Sequence, residues 1–328
     1  MRILVTGGAG YIGSHASRLL ARAGHDVWCY DNLSRGHRPA ALPGRLIVGE
    51  IADRATVEAV LREHKIEAVM HFAAFALVGE SVSDPSLYYQ NNVSATLALL
   101  EALRAADVKR IVFSSTTATY GMPERIPITE DTPQQPINPY GFSKLVIEKA
   151  LADYAHAYGF AYAALRYFNA AGASPDGDLG EVDRSQSRLI PLTLQVALNQ
   201  REAITIFGDD YPTPDGTCIR DYIHVDDLGS AHVQALTRLT PGKGLTLNLG
   251  VGHGYSVRQV IESCRRVSGH PIPARVVPRR PGDPPELVAD ASRARAALDW
   301  KPRYAELDQI VGTAWRWHST HPHGYAEK

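Results

Sequence analysis

The chain has 328 residues, 45% of them hydrophobic, which is enough for one large domain or two ordinary ones with a buried core. The formal net charge of −1 excludes the strongly basic surface expected of a nucleic-acid or anionic-membrane binder. No apolar run reaches the ~18 residues of a membrane span, and we expect no signal peptide, because an apolar strand comes first and not a charged region with a long apolar core. Three scattered cysteines, Cys29, Cys218 and Cys264, lack metal-site spacing, so we expect no metal and a cytoplasmic location.

A glycine-rich loop opens the chain. Residues 2–5 predict a short buried strand and residues 14–23 a helix. Between them Gly7, Gly10 and Gly13 have the spacing of a dinucleotide-binding fingerprint, in the strand–loop–helix context that this fingerprint requires. Missing side chains let the backbone approach a pyrophosphate, and the helix N-terminus offers N–H groups and positive dipole charge to it.

An acidic residue follows the second predicted strand, residues 25–30. Asp31 lies 18 residues after Gly13 (31 − 13), close to the ~20 expected for the acid that binds the adenosine ribose. Its carboxylate accepts hydrogen bonds from ribose hydroxyls and repels a 2′-phosphate, which favours NAD over NADP. Arg35 leaves NADP open, because an arginine at this place is able to bind a phosphate.

Strands and helices alternate over the next 130 or so residues, a spacing typical of successive strand–helix–strand units. The prediction is an α/β fold with a doubly wound parallel (Rossmann) sheet, which binds its ligand across the carboxyl ends of the strands. The predicted strands are 45–48, 68–72, 110–113 and 161–166, and the predicted helices are 54–64, 87–104 and 140–158.

Two residues with reactive side chains begin the last of these helices. Tyr140 and Lys144 are four residues apart and therefore share a helix face, behind Asn138 as a possible N-cap and Pro139 at the first helical position. A neighbouring positive charge favours the phenolate, so we expect Lys144 to lower the pKa of Tyr140 and make it a general base. A hydroxyl in the stretch 114–119 could pass a substrate proton to that base.

Together these residues resemble the extended short-chain dehydrogenase/reductase superfamily and, within it, the UDP-galactose (UDP-glucose) 4-epimerases. The resemblance runs almost the whole length of the chain. The stretches that carry it are 31–34, 78–82, 88–92, 165–169, 206–217, 220–225 and 279–283.

The resemblance implies an isomerase of carbohydrate metabolism that keeps NAD bound and inverts C4 of a UDP-sugar through a 4-keto intermediate. It implies Tyr140 as base, Lys144 as the group that tunes this base and bonds the nicotinamide ribose, and Thr116 as the partner of the sugar 4-hydroxyl. The sugar must turn over in its pocket, so the UDP is the part that is held.

The resemblance also implies two sets of binding residues. The cofactor residues are Gly7, Gly10, Tyr11, Ile12, Gly13, Asp31, Asn32, Ser34, Glu50, Ile51, Phe72, Ala73, Ala74, Asn91, Ser114, Tyr140, Lys144 and Tyr167. The substrate residues are Thr116, Tyr140, Phe168, Asn169, Arg188, Leu189, Thr205, Ile206, Phe207, Arg220, Arg280 and Asp283.

Four positions depart from the family pattern. Glu50 replaces an aspartate near the adenine, Ala76 replaces a lysine at the cofactor ribose, and Arg188 stands where Asn or His is common. Leu287 lies at a position that gates the sugar pocket and is intermediate in size. N-acetylated sugars therefore stay open as substrates.

The composition changes after residue 173 towards Gly, Pro and Asp. The resemblance implies a discontinuous division, with an NAD-binding domain of residues 1–173 plus about 220–252 and a UDP-sugar-binding domain of 174–219 plus 253–328. It also implies a homodimer through the helices 87–104 and 140–158. The tail after Trp317 is polar, and we expect it to be loose.

Other readings stay open beside UDP-glucose and UDP-galactose. The sugar could be a UDP-N-acetylhexosamine or UDP-xylose/arabinose, because a hexose pocket has room for a pentose. A nucleotide-sugar 4,6-dehydratase needs an Asp-Glu pair after the strand-end threonine, but Thr117 and Ala118 follow Thr116 here. A non-catalytic NAD(H)-sensing module could dispense with Tyr140 and Lys144, which are both present.

Overall fold

The computed structural model describes residues 1–182, 187–280 and 282–326. Strands and helices alternate along the chain as predicted, with most bounds shifted by one or two residues. The strands are β1 (Arg2–Thr6), β2 (Asp26–Asp31), β3 (Leu46–Val48), β4 (Ala68–His71), β5 (Arg110–Ser114), β6 (Ala161–Tyr167), β7 (Asn169–Ala171), β8 (Ile204–Phe207), β9 (Ile219–Arg220), β10 (Tyr222–His224), β11 (Gly244–Leu249), β12 (Tyr255–Ser256), β13 (Ala274–Val277) and β14 (Glu286–Leu287).

The helices flank the sheets on both faces. The α-helices are α1 (Tyr11–Arg22), α2 (Arg54–Glu63), α3 (Val78–Ser83), α4 (Pro85–Tyr88), α5 (Ala95–Ala105), α6 (Pro139–Tyr158), α7 (Leu189–Ala197), α8 (Val225–Thr237), α9 (Val257–Ser268), α10 (Ser292–Leu298) and α11 (Leu307–Thr320). Short 3₁₀ turns cover Arg38–Ala40 and Thr117–Tyr120, and a π-helical turn covers Tyr89–Ser94. Within the described ranges no helix has the length and apolar character to cross a bilayer.

The central sheet has seven parallel strands in the order β11-β6-β5-β4-β1-β2-β3. The chain winds outward in one direction from β1 to β3 and in the other from β4 to β11. Its order therefore reverses between β1 and β4, which is where a doubly wound sheet opens a crevice for its ligand. The predicted doubly wound parallel sheet is confirmed.

Side chains of β1 pack alternately on the two faces of this sheet. Ile3 and Val5 lie in a core with α8, and Leu4 lies in a second core with α2, α5 and α6. Each of the three is fully buried. This double burial explains why the strand is a continuous apolar run and does not alternate with polar residues.

The helix predicted over 87–104 is interrupted. Near its start lies the π-helical turn Tyr89–Ser94, which separates α4 from α5. The Asn92 side chain accepts a hydrogen bond from Phe75 N and donates one to Phe75 O, both at 2.9 Å. These bonds fix the π-turn to the loop after β4, and π-bulges of this kind are frequent at functional sites.

A second, smaller core lies beyond the central sheet. It contains Leu194, Ile206, Cys264 and Ile310, from α7, β8, α9 and α11. β8 pairs in parallel with β13, while β9 pairs with β12 and β14. The division into two domains stays a prediction. We propose to move α10 from the UDP-sugar-binding domain to the NAD-binding domain, because Leu298 and Trp300 are buried in the core of the central sheet.

The described part of the C-terminal tail, up to residue 326, is held by specific contacts, contrary to the predicted loose tail. α11 continues to Thr320, and the His321 ring then stacks on Trp317 with centroids 3.9 Å apart. Further on, the Tyr325 hydroxyl donates to Gly180 O at 2.9 Å and accepts from Gly180 N at 3.1 Å. Polar composition misled the prediction because these contacts use backbone groups far away in sequence.

Candidate functional site

The glycine loop brings backbone very close to backbone at the carboxyl end of β1. Gly7 has a φ of 73°, and a Cβ built on it would lie 2.6 Å from Ala73 N. A Cβ on Gly13 would lie 2.1 Å from Gly7 O. No other residue fits these positions without a backbone shift. The loop leads into α1, whose free N–H groups face the region where a pyrophosphate would sit.

Asp31 is tied to this loop by a backbone hydrogen bond. Its Oδ2 accepts from Ala9 N at 3.0 Å and its Oδ1 accepts from Leu33 N at 2.8 Å. Burial raises the pKa of the carboxyl, and the two backbone donors lower it. The carboxylate oxygens keep further lone pairs, so they can still accept hydrogen bonds from ribose hydroxyls at the cleft.

Arg35, the residue that left NADP possible as the cofactor, is paired with a carboxylate. Arg35 Nη2 lies 2.6 Å from Glu80 Oε1, and its guanidinium lies 5.0 Å from the centre of the Phe75 ring. Asn32 Nδ2 lies 3.1 Å from each carboxylate oxygen of Glu50. With Asp31 and Glu50 both at this end of the cleft, the site has the negative charge that disfavours a 2′-phosphate.

These groups lie in one long cleft along the carboxyl edge of the sheet. It has two stretches, of ≈ 540 Å³ and ≈ 1150 Å³ including the part open to solvent, that share Gly7, Gly10, Arg35, Phe72, Ala74 and Phe75. Every predicted cofactor residue lines one stretch or both. The first holds Asp31, Asn32, Ser34, Glu50, Ile51, Ala73 and Asn91, and the second holds Tyr11, Ile12, Gly13, Ser114, Tyr140, Lys144 and Tyr167.

Tyr140 and Lys144 enter the second stretch from the first turns of α6. Asn138 caps this helix as predicted, since its side chain accepts from Gly141 N at 2.8 Å. Lys144 Nζ donates to Ser114 O at 2.8 Å, and the Thr116 side chain lies close enough to the Tyr140 phenol to favour its ionised form. The end of β5 therefore holds both reactive side chains.

The electrostatics of this pair differ from the prediction. Burial raises the pKa of Tyr140, and the nearby Thr116 side chain and the positive charge of Arg188 only partly offset this. Burial also lowers the pKa of Lys144 to about 7, against the opposing charge of Glu148. Burial therefore disfavours the charged form of both side chains, and its effect on the pKa of Tyr140 is larger than any opposing effect of the Lys144 charge.

A buried ion pair lies directly under the reactive pair. Arg166 Nη2 lies 2.5 Å from Glu148 Oε2, and Arg166 Nη1 donates to the Tyr120 hydroxyl at 2.7 Å. Ser115 Oγ donates to Glu148 Oε1 at 2.5 Å, and Gln134 Nε2 donates to Oε2 at 2.9 Å. The sequence analysis missed Glu148, although its position four residues after Lys144 was a usable signal.

The predicted substrate residues divide into two groups. Thr116 and Tyr140 lie together at the cleft, and Arg188 lines it, paired with Glu181 and with its guanidinium 5.7 Å from the Tyr11 ring centre. Arg220 in β9 and Arg280 after β13 lie outside the central sheet, in the region of the smaller sheets β8–β13 and β9–β12–β14 that we call the second lobe. Of the described residues, the structure thus brings one predicted arginine to the reactive pair.

Second-lobe residues predicted to hold the nucleotide contact one another. Arg220 Nη2 lies 2.6 Å from Asp283 Oδ1, and the exposed Arg280 places its guanidinium 3.6 Å from the Phe207 ring centre. Leu287 pairs with Arg220 in the β14–β9 register. A diphosphate could replace the Asp283 carboxylate as the partner of Arg220, leaving that carboxylate for a ribose.

The remaining predicted substrate residues surround these pairs. Asn169 Nδ2 donates to Asp221 O at 3.0 Å. Ile206 is 3% exposed, so its side chain belongs to the core, and only its backbone could meet a ligand. Half-buried positions are held by Phe168, Leu189 and Thr205.

Several residues of the cleft were not found from the sequence. Glu181, Val182, His37 and Tyr325 line its second stretch. None lies in a recognisable motif, and Tyr325 is in a segment predicted to be loose. Within the described part of the chain no cluster of His, Cys, Asp and Glu could hold a metal ion.

Comparisons with known proteins agree with one another. The model of the NAD dependent epimerase/dehydratase family matches residues 3–250. The UDP-glucose 4-epimerase of Halalkalibacterium halodurans is 53% identical over 327 residues, which is 99% of this chain and 98% of that protein.

Solved structures extend the likeness to the whole fold. A crystal structure of a UDP-glucose 4-epimerase superposes with a TM-score of 0.97 at 48% identity and covers 100% of both chains. The UDP-glucose 4-epimerase of Bifidobacterium longum in complex with NAD⁺ and UDP has a TM-score of 0.94 at 40% identity, covering 99% of this chain and 100% of that one. The chain therefore belongs to the NAD dependent epimerase/dehydratase family, among the UDP-glucose 4-epimerases.

Proposed function

We propose that the protein is a UDP-sugar 4-epimerase that interconverts UDP-glucose and UDP-galactose with tightly bound NAD. The observation that carries the proposal is the meeting of Tyr140, Thr116 and Lys144 at the end of a cleft built for a dinucleotide. The activity printed for the relatives, UDP-glucose 4-epimerase, agrees with this arrangement.

The residues present fit NAD. Gly7 and Gly13 leave room for a pyrophosphate at the start of α1, and Asp31 offers acceptors to the adenosine ribose. Lys144 reaches the nicotinamide end of the cleft. When bound, NAD supplies the acceptor and donor of the hydride at C4 of the sugar.

Proton transfer falls to this chain's own residues. Tyr140 as phenolate takes the proton of the sugar 4-hydroxyl, and Thr116 hydrogen-bonds both this hydroxyl and the phenol. The positive charge of Arg188 already favours the phenolate. A positively charged cofactor ring beside the pair would lower the pKa of Tyr140 further.

The nucleotide is held in the second lobe, away from the reacting carbon. Arg220 and Arg280 bind the diphosphate, Asp283 binds the uridine ribose, and Phe207 and Leu189 pack on the uracil. Asn169 bonds the sugar or the phosphates. Fixing the UDP leaves the hexose free to present either face of C4 to the same catalytic groups.

Two further assignments belong to this proposal. The protein forms a homodimer through the segments 87–104 and 140–158, because Tyr89 and Phe142 are exposed at 39% and 47% and their ring centres lie 6.3 Å apart. It acts in the cytoplasm, in keeping with three cysteines that are all free and buried. Sedimentation analysis of the purified protein tests the dimer, and a monomer across the range of concentrations would reject it.

The test of the function is a product assay without added cofactor. Purified protein is incubated with UDP-galactose, UDP-N-acetylgalactosamine or UDP-xylose, and the products are separated by chromatography. We expect UDP-galactose to give UDP-glucose. The relative rates with UDP-N-acetylgalactosamine and UDP-xylose then show which sugars fit a pocket gated by Leu287. Absence of product from UDP-galactose, with NAD added as well, would reject the proposal.

A further inference from the structure

The C-terminal turn reaches across the molecule to the mouth of the dinucleotide cleft. Tyr325 lines the second stretch of this cleft together with Ala9, Gly10 and Tyr11 of the glycine loop. Its ring centre lies 5.4 Å from that of His37, whose backbone N–H donates to Ala9 O at 2.9 Å. The tail of the second lobe therefore lies beside the loop that would hold the pyrophosphate.

Tyr325 is held at this place by specific contacts. Its hydroxyl makes two hydrogen bonds with the backbone of Gly180, and its ring packs 4.8 Å from the Trp317 ring. Trp317 is fully buried and donates from Nε1 to Glu181 O at 3.0 Å. Burial raises the pKa of Tyr325 to about 12, so the hydroxyl stays neutral and keeps its donor.

The turn itself is shaped for close approach. Gly324 has a φ of 78°, and a Cβ built on it would lie 2.8 Å from a methyl carbon of Val182, another cleft residue. Pro322 O accepts from Gln200 Nε2 at 2.9 Å, which fixes the start of the turn. Segment 180–182 is thus clamped between α11 and the turn, and it forms one wall of the cleft.

We propose that Tyr325, in contact with the His37 ring, is a cofactor-retaining residue that closes the cleft over the pyrophosphate end of bound NAD. The proposal rests on the proposed function, since it takes NAD as the occupant. An epimerase that must regenerate its cofactor in place at every turnover gains from slow release, and a wall tied to the chain end supplies it.

The experiment measures release of NAD from the purified holoenzyme. Alcohol dehydrogenase and ethanol in excess trap the released NAD, and NADH fluorescence gives the dissociation rate. NAD per chain after exhaustive dialysis is measured beside it. Tyr325→Ala removes both ring and hydroxyl, and Tyr325→Phe keeps the ring and removes the two hydrogen bonds. A chain ending at Tyr325 is the matched control, because it loses the last three residues and keeps the tyrosine.

We expect Tyr325→Ala to release NAD at least about 10-fold faster than the wild type and to lose cofactor on dialysis, with Tyr325→Phe between the two. The control chain should release NAD at the wild-type rate. Equal release from the wild type and Tyr325→Ala would overturn the inference. If Tyr325→Ala does not fold, Tyr325→Phe decides, and wild-type release from it would overturn the inference too. A wild type that neither contains nor binds NAD would reject the proposed function instead.

Discussion

Ser115 Oγ donates to Glu148 Oε1 at 2.5 Å. The residue before it, Ser114, accepts from Lys144 with its carbonyl, and the residue after it, Thr116, lies beside the Tyr140 phenol. Three consecutive residues at the end of β5 thus hold three residues spaced by four along α6. The reactive pair is positioned by this row of contacts, and the ion pair of Glu148 with Arg166 anchors it in the core.

Glu148→Gln should reduce activity while bound NAD is retained. The carboxylate raises the pKa of Lys144, so its loss lowers that pKa and reduces the charged fraction of the lysine near pH 7. The high-pH limb of the kcat profile should therefore move to lower pH. The unpaired Arg166 should cost about 3 kcal/mol of unfolding free energy.

Glu58→Gln is the control for this variant, since Glu58 pairs with Arg62 on the surface of α2. A purely structural role of Glu148 would lower stability and leave the pH profile of kcat in place. That result would remove Glu148 from the positioning of Lys144.

Tyr140→Phe should keep its NAD and lose activity by about 10²–10⁴-fold, the range for a positioned general base. The ring and its packing stay, and only the proton acceptor is removed. Tyr158→Phe, at the exposed end of the same helix, is the control. Single-turnover assays at saturating UDP-galactose measure the effect, and activity within a few-fold of wild type would show that another group takes the proton.

Asp31→Asn should weaken NAD retention by about 10–100-fold, because a hydrogen bond to a charged group is worth about 1.5–3 kcal/mol. Cofactor content after gel filtration measures this. Asp26→Asn is the matched control at the other end of β2, where Asp26 pairs with Arg45. Unchanged NAD content in Asp31→Asn would take the ribose contact away from Asp31.

Lys144→Met should alter how stability depends on pH in protein stripped of NAD. The pKa of Lys144 is lowered to about 7 in the folded chain, against ~10.4 for an ordinary lysine. Between these values the unfolded chain binds one more proton than the folded one. This group therefore makes unfolding free energy rise with pH by about 1.4 kcal/mol per unit.

Relative to wild type, Lys144→Met should therefore have a higher free energy of unfolding at about pH 7.5, and this difference should shrink towards about pH 9.5. Urea unfolding at both pH values measures it, with Lys149→Met on the exposed side of α6 as the control. A difference that does not change with pH would mean that Lys144 stays charged in the folded chain.

Local sequence patterns predicted the parts of this molecule that local physics determines. Gly13 is required by a backbone contact within its own loop, and Asn138 caps the helix that begins after it. Asp31 follows its strand at the expected distance. Each of these depends on neighbours in sequence, so spacing alone was enough to place it at the cleft.

Features that depend on distant contacts were missed or mistaken. The π-turn needs Asn92 to bind Phe75, and the ordered tail needs Tyr325 to meet Gly180, 145 residues away. The pKa of Tyr140 depends on how deeply the phenol is buried, which spacing to Lys144 does not reveal. No periodicity in the sequence reports contacts of this kind.

The most direct test of the epimerase reaction follows the hydrogen at C4. UDP-galactose deuterated at C4 is incubated with the purified protein without added NAD, and the UDP-glucose formed is examined by mass spectrometry. We predict product that keeps its deuterium at C4, because the hydrogen leaves and returns as a hydride within one cleft and does not exchange with water. Product that has lost the deuterium to solvent, or no product at all, would contradict this account.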